Sequence, residues 1–170
     1  ITLGEGGDYG AGAGEPGGDG GGRIRVRTTT LVIDGAVRAN GQAGRENDQK
    51  NGGGGAGGSV WITTDTLSGS GTVQVDGGAP GSNTDSPGGA GAGGRVAIEA
   101  RTSTFDPDHV TAYPGTPHSV RQAAAGTVWL DIGNAPTLLV IDDDDRSAGL
   151  DDLARRATAS GTATVVGDLT

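Results

Sequence analysis

Cysteine and methionine are absent from the 170 residues, and aromatic residues are 3% of them: one Phe, two Trp and two Tyr. Without cysteine there is no disulfide and no thiolate metal site. With so few aromatics and a hydrophobic share of 32%, the chain lacks the material for a large three-dimensional core. Basic residues are scarce too, 12 against 21 acidic, giving a formal net charge of −9. That balance lacks the positive footprint that nucleic-acid phosphates require, and it disfavours anionic membranes. No apolar run is long enough to span a bilayer as a helix. The sequence therefore predicts no nucleic-acid partner, no membrane insertion and no cofactor.

What is abundant is glycine, at 36 residues. A thin core repeated many times suits this composition, because each layer needs only a few Val, Ile or Leu side chains. The sequence carries such a repeat. Gly22-Arg23-Ile24-Arg25-Val26, Gly58-Ser59-Val60-Trp61-Ile62 and Gly94-Arg95-Val96-Ala97-Ile98 align at a step of 36 residues, and Gly126-Thr127-Val128-Trp129-Leu130 follows after 32. Val37-Arg38-Ala39-Asn40-Gly41 matches Val73-Gln74-Val75-Asp76-Gly77, and Val110-Thr111-Ala112 follows one residue out of phase.

Apolar residues alternate within each copy, with β-branched side chains at the inward positions, so each copy predicts strands that bury one face. Short turns, Asp34-Gly35 and Ser68-Gly69-Ser70-Gly71, separate first strand from second. Glycine-rich stretches at 4–22, 41–58 and 77–94 then lead to the next copy. Antiparallel hairpins through Asp34-Gly35 are one solution. Loops this long are unusual inside compact domains. They fit better in an all-β right-handed parallel β-solenoid, where each copy is one coil and equivalent segments stack. Ile24, Val60, Val96 and Val128 then form one inward ladder. The glycine segments are expected to stack as hydrogen-bonded polyproline-II-like runs, with inner glycines such as Gly54 and Gly89 intolerant of bulk.

The predicted domain is a single array over 1–170, with coils at about 1–22, 23–58, 59–94, 95–126 and 127–170. Ile1-Thr2-Leu3 is in phase with Val37-Arg38-Ala39, and strand pattern resumes at Thr164-Val165-Val166. Both observations suggest a piece of a longer array, or a subunit whose ends are covered by neighbouring repeats or subunits. One segment departs from β pattern. Leu150, Leu153, Ala154 and Ala157 have helical spacing, with Asp151 and Asp152 at the start and Arg155 and Arg156 at the end. They predict a short helix.

These features resemble the glycine-rich repeats of very large exported bacterial surface proteins. The residues that carry the likeness are Gly94-Arg95-Val96-Ala97-Ile98, Leu67-Ser68-Gly69-Ser70-Gly71 and Asp76-Gly77-Gly78. The run from Phe105 to Tyr113, then Ala125 to Leu130 and Leu139-Val140-Ile141-Asp142, is similar to the way such arrays continue into further β-helix. The resemblance implies a secreted or cell-surface location and a structural or adhesive role as stalk, fibre or adhesin. It brings no catalytic residue with it.

Candidate sites are few. Trp61 and Trp129 alternate with inward residues, so they fall on the outer face, in phase with Arg25 and Ala97. There they either pack beneath a loop or offer a platform for a glycan or surface ligand. Asp142, Asp143, Asp144 and Asp145 form the densest acidic run, read as a solvated turn or a peripheral Ca²⁺ site. Gly17-Gly18-Asp19-Gly20-Gly21 has part of a calcium-binding nonapeptide pattern but not its period. Asp106, Asp108 and His109 read as a turn around Pro107 rather than acid–base machinery. No glycine run contains a phosphate-loop lysine, and no Ser/His/Asp set has catalytic order. The chain is therefore expected not to be an enzyme. The alternative is a carbohydrate-binding or polysaccharide-lyase-like β-helix, in which an acidic cluster and a basic residue would converge on one face. A flat Thr ladder from Thr28–Thr30 through Thr63, Thr64 and Thr66 would instead signal an ice- or mineral-binding surface.

Overall fold

The computed structural model describes residues 16–46, 51–81, 88–116, 123–133, 137–141 and 155–159. The alternating segments form strands, and the equivalent strands pair. β1 (Arg23–Val32), β3 (Ser59–Ser68), β5 (Arg95–Ser103) and β7 (Thr127–Ile132) lie side by side in parallel. Their register places Ile24 on Val60, Val60 on Val96 and Val96 on Val128. A second parallel sheet holds β2 (Ala36–Arg38), β4 (Thr72–Gln74) and β6 (Val110–Thr111). Val37 pairs with Val73 and Val73 with Val110, which absorbs the one-residue slip seen in the sequence.

Inward residues of both sheets make one core. Val60, Ile62, Leu67 and Ile98 of the first sheet join Val73, Val75, Val110 and Phe105 in a single buried cluster. Side chains also extend the second sheet past its backbone ladder. Asn40 Oδ1 accepts from the Asp76 amide at 2.9 Å. The Asp76 carboxylate in turn accepts from the Tyr113 amide at 2.8 Å and the Thr111 hydroxyl at 3.1 Å.

Alternation in the first sheet shifts phase once, where Asp65 and Thr66 are both exposed between buried Thr64 and Leu67. The ladder passes over Thr29, Asp65 and Arg101 there. Threonine hydroxyls take over the idle carbonyls. Buried Thr64 places its Oγ1 3.1 Å from the Thr29 carbonyl, and Thr102 donates to the Asp65 carbonyl at 3.2 Å. Thr64→Val keeps the shape and removes this bond, so it should lower the unfolding free energy by about 1 kcal/mol. The urea midpoint should fall with the slope unchanged. An unaltered midpoint would show that the hydroxyl is idle.

The glycine-rich segments are tied together by backbone hydrogen bonds. In 52–58, the amides of Gly54 and Gly57 donate to Gly89 and Ala92 of the following segment, at 2.9 and 2.8 Å. The amides of Gly52, Gly55 and Gly58 donate to Arg45, Gln42 and Ala39, at 2.9, 2.9 and 2.7 Å. Each set recurs every third residue, the period of a polyproline-II helix. Residues 18 and 21, 41 and 44, and 91 and 94 donate with the same spacing. A side chain on most of these glycines would collide with a neighbouring carbonyl; one at Gly54 would overlap that of Gly78. Gly89 is different: among the described residues nothing comes within 4 Å of where its Cβ would stand. The expectation that it is an inner glycine is therefore corrected.

Parallel pairing stops at β7. Only residues 133–136 separate it from β8 (Thr137–Ile141), too few for a parallel crossover, and β8 returns antiparallel with Leu139 opposite Trp129. The expected helix is also corrected. Arg155, Arg156 and Ala157 belong to β9 (Arg155–Ala159), antiparallel to β8, and no α-helix occurs among the described residues. A helix of two or three turns is marginal by itself, whereas the edge of β8 has backbone groups that need partners. Residues 150–154 lie outside the described residues, as do 1–15 and the 164–170 strand pattern.

Candidate functional site

The outer face of the first sheet gathers the unusual side chains. Register alone puts Arg25, Trp61, Ala97 and Trp129 in one row across four strands, with Leu139 of β8 next to Trp129. A second row beside it holds Arg23, Ser59, Arg95 and Thr127. Both tryptophans stand outward as alternation requires; Trp61 is 43% exposed and Trp129 half-buried.

The Arg25 guanidinium carbon lies over the Trp61 ring, 4.5 Å from its centroid. Since Arg25 is the in-register neighbour of Trp61, one ring face looks back along the row toward β1. On the other side of Trp61 the row continues to Ala97. The small alanine leaves a gap there, closed on its far side by Trp129 and backed by Leu139 on the same face of the sheet. Trp61 and Trp129 stand two strand spacings apart, about 9.5 Å between their backbones. The result is a slot with aromatic walls and an alanine floor. A groove of about 420 Å³ opens on it, lined by both tryptophans, Ala97, Arg23, Arg25 and Arg95. A larger groove of about 800 Å³ borders the second row, floored by Gly57, Gly58, Gly93 and Gly94. Arg23 and Arg95 line both.

Among the described residues, no carboxylate lines either groove. Arg101 and Asp65 form an ion pair at 3.7 Å, on exposed side chains away from the slot. A cationic patch thus sits on a chain of net charge −9.

The remaining candidates are not drawn to this face. Asp106 Oδ1 accepts from the Asp108 amide at 2.9 Å and starts a 3₁₀ turn over Pro107–His109. The His109 ring meets Phe105 edge-on, with centroids 6.0 Å apart. This is the turn that Asp-Pro-Asp predicts. Asp19 is exposed within the glycine layer, its carbonyl accepting from Gln42 at 2.8 Å. The threonines form one short outer row, Thr30, Thr66 and Thr102, with the last two hydroxyls 3.4 Å apart. Arg27 and Glu99 flank Thr63 in its own row, which breaks any flat threonine surface. Asp142–Asp145 and His118 lie outside the described residues, among which no metal-binding group of His, Asp or Glu assembles.

Sequence reasoning found both tryptophans and their phase. It missed that Ala97 is the gap between them, and that Arg23 and Arg95 border the same opening. The signal was available in the repeat alignment, read across copies rather than along the chain. Compared with known protein families, curated proteins and solved structures, the chain matches none.

Proposed function

We propose that the chain is a structural segment of a secreted or cell-surface repeat protein, a parallel β-solenoid serving as stalk, fibre or adhesin. One observation carries this reading. Both parallel sheets and the glycine layer join each copy to the next by the same contacts, so another copy could be added without new chemistry. Solenoid stability rises with the number of copies, because each interface contributes a favourable nearest-neighbour term. The test is a variant with residues 59–94 duplicated after Gly94. It should fold with a higher melting temperature and a higher urea midpoint than the parent chain. A duplicated chain that is less stable, or that loses its strand signal, would rule out an extensible array.

A second reading, carbohydrate binding, is favoured by the Trp61–Ala97–Trp129 slot. Sugar rings offer C–H faces to aromatic walls, and a repeat protein displaying such a slot would adhere rather than only space. The lyase form of this reading draws no support from the grooves, whose described lining residues include arginine but no acid.

A further inference from the structure

We infer that the slot over Ala97 takes an anionic glycan, with one sugar ring between Trp61 and Trp129 and its acidic groups on Arg23 and Arg95. The inference rests on the carbohydrate-binding reading and adds the charge of the ligand.

The shape argument comes first. Two strand spacings separate the walls, about 9.5 Å between backbones. That leaves room for one puckered ring with its C–H bonds against both indoles. A flat base would touch one wall and leave slack at the other. Arg25 covers one face of Trp61 at 4.5 Å, and Trp61, Ala97 and Trp129 line the same groove, so the opposite face of the ring is the one left for a ligand.

Charge gives the second, independent argument. Arg23 and Arg95 lie on either side of Ser59, again two strand spacings apart, a span comparable to a disaccharide. Among the described residues neither has a carboxylate partner, although acidic residues outnumber basic ones 21 to 12 over the chain. Guanidinium groups hold carboxylates and sulfates through paired N–H donors, which a neutral sugar cannot match. The net charge of −9 opposes a long polyanion such as nucleic acid, while Arg23 and Arg95 can hold two acidic groups of a short glycan segment.

The two tryptophans are the chain's only ones and both line the slot, so intrinsic fluorescence reports on this site directly. The full chain is titrated with three glycans of matched length, an oligogalacturonate, a sulfated galactan and a neutral galactan, and separately with a single-stranded oligonucleotide, at low and high salt. We expect at least one acidic oligomer to shift the emission and to bind about tenfold or more tightly than the neutral one, with the advantage lost in high salt. Arg23→Gln with Arg95→Gln should remove that advantage, bringing acidic and neutral oligomers to the same affinity. Ala97→Leu fills the floor from an outward position and should abolish binding of every glycan. Amide protection in β5 checks that the fold is kept, and Trp61→Ala is the second variant, with binding read by calorimetry. Equal affinity for acidic and neutral oligomers overturns the anionic assignment while carbohydrate binding stands. Absence of binding to all three overturns both. Tighter binding of a single-stranded oligonucleotide than of any glycan overturns the assignment in favour of a nucleic acid.

Discussion

Gly54→Val is expected to destabilise the protein by about 3–5 kcal/mol, and Gly89→Val by no more than about 1 kcal/mol. The two glycines are partners in one hydrogen bond, Gly54 amide to Gly89 carbonyl at 2.9 Å, so proximity to the layer cannot separate them. What separates them is the space around each α-carbon. A side chain at Gly54 would overlap the Gly78 carbonyl, which belongs to the neighbouring segment and accepts from Gly91 at 2.9 Å. Making room would part segments 52–58 and 76–81 and strain the bond from the Gly78 amide to the Gly55 carbonyl, 2.8 Å long. At Gly89 no described residue stands within 4 Å of an added Cβ. A bulky residue there even restricts the unfolded chain, which offsets part of any cost. Urea unfolding of both variants decides the matter, with amide exchange over 41–46 and 51–58 as the local readout. Equal losses from the two substitutions would mean that composition, and not close approach, sets the need for glycine.

The second large effect is expected in the core. Ile62 and Ile98 are both 0% exposed, and they are in-register neighbours on adjacent strands. Each truncation to Ala should cost about 2–5 kcal/mol from lost burial and the cavity left behind. Because the side chains touch the same space, the double variant should cost less than the sum of the singles, by about 0.5 kcal/mol or more. Val37→Ala provides the contrast. Val37 is half-buried and, among the described residues, pairs only with Val73, so its truncation should be milder. Strict additivity of the Ile62 and Ile98 changes would contradict the stacked register.

Much of this architecture was legible in the residues. Alternation placed Ile24, Val60, Val96 and Val128 inward, and identical spacing in two sets of strands implied that copies pair in register. The parallel sense followed from the length of the glycine stretches between copies. Other features were not legible. Leu150, Leu153, Ala154 and Ala157 have helical spacing, yet 155–159 pair with β8, because the four-residue link after β7 had already brought β8 back with an open edge. Helical spacing is a local signal, and a strand edge is a tertiary one. The tolerance of Gly89 was hidden for a related reason, since sequence gives the density of glycine but not which α-carbon faces a neighbour. In the site, alternation found Trp61 and Trp129 as separate surface residues. Their meaning as two walls depends on Ala97, whose small size carries no signal when read along its own strand.

The glycine layer has a thermal consequence. It is held by amide–carbonyl bonds between segments that bury few side chains, whereas the apolar cluster beside it is thin. Unfolding therefore exposes a large share of peptide groups and a small share of hydrocarbon. Hydrating peptide groups lowers the heat capacity, while hydrating hydrocarbon raises it, and ordinary domains gain about 12–15 cal/mol/K per residue from the balance. This protein is expected to fall below that range, so that its enthalpy of unfolding would change little with temperature. Its stability curve is shallow and broad, and cooling does not weaken it as it weakens a protein held mainly by oily contacts. A chain built on this layer stays folded over a wide span of temperatures without needing great stability at any one of them.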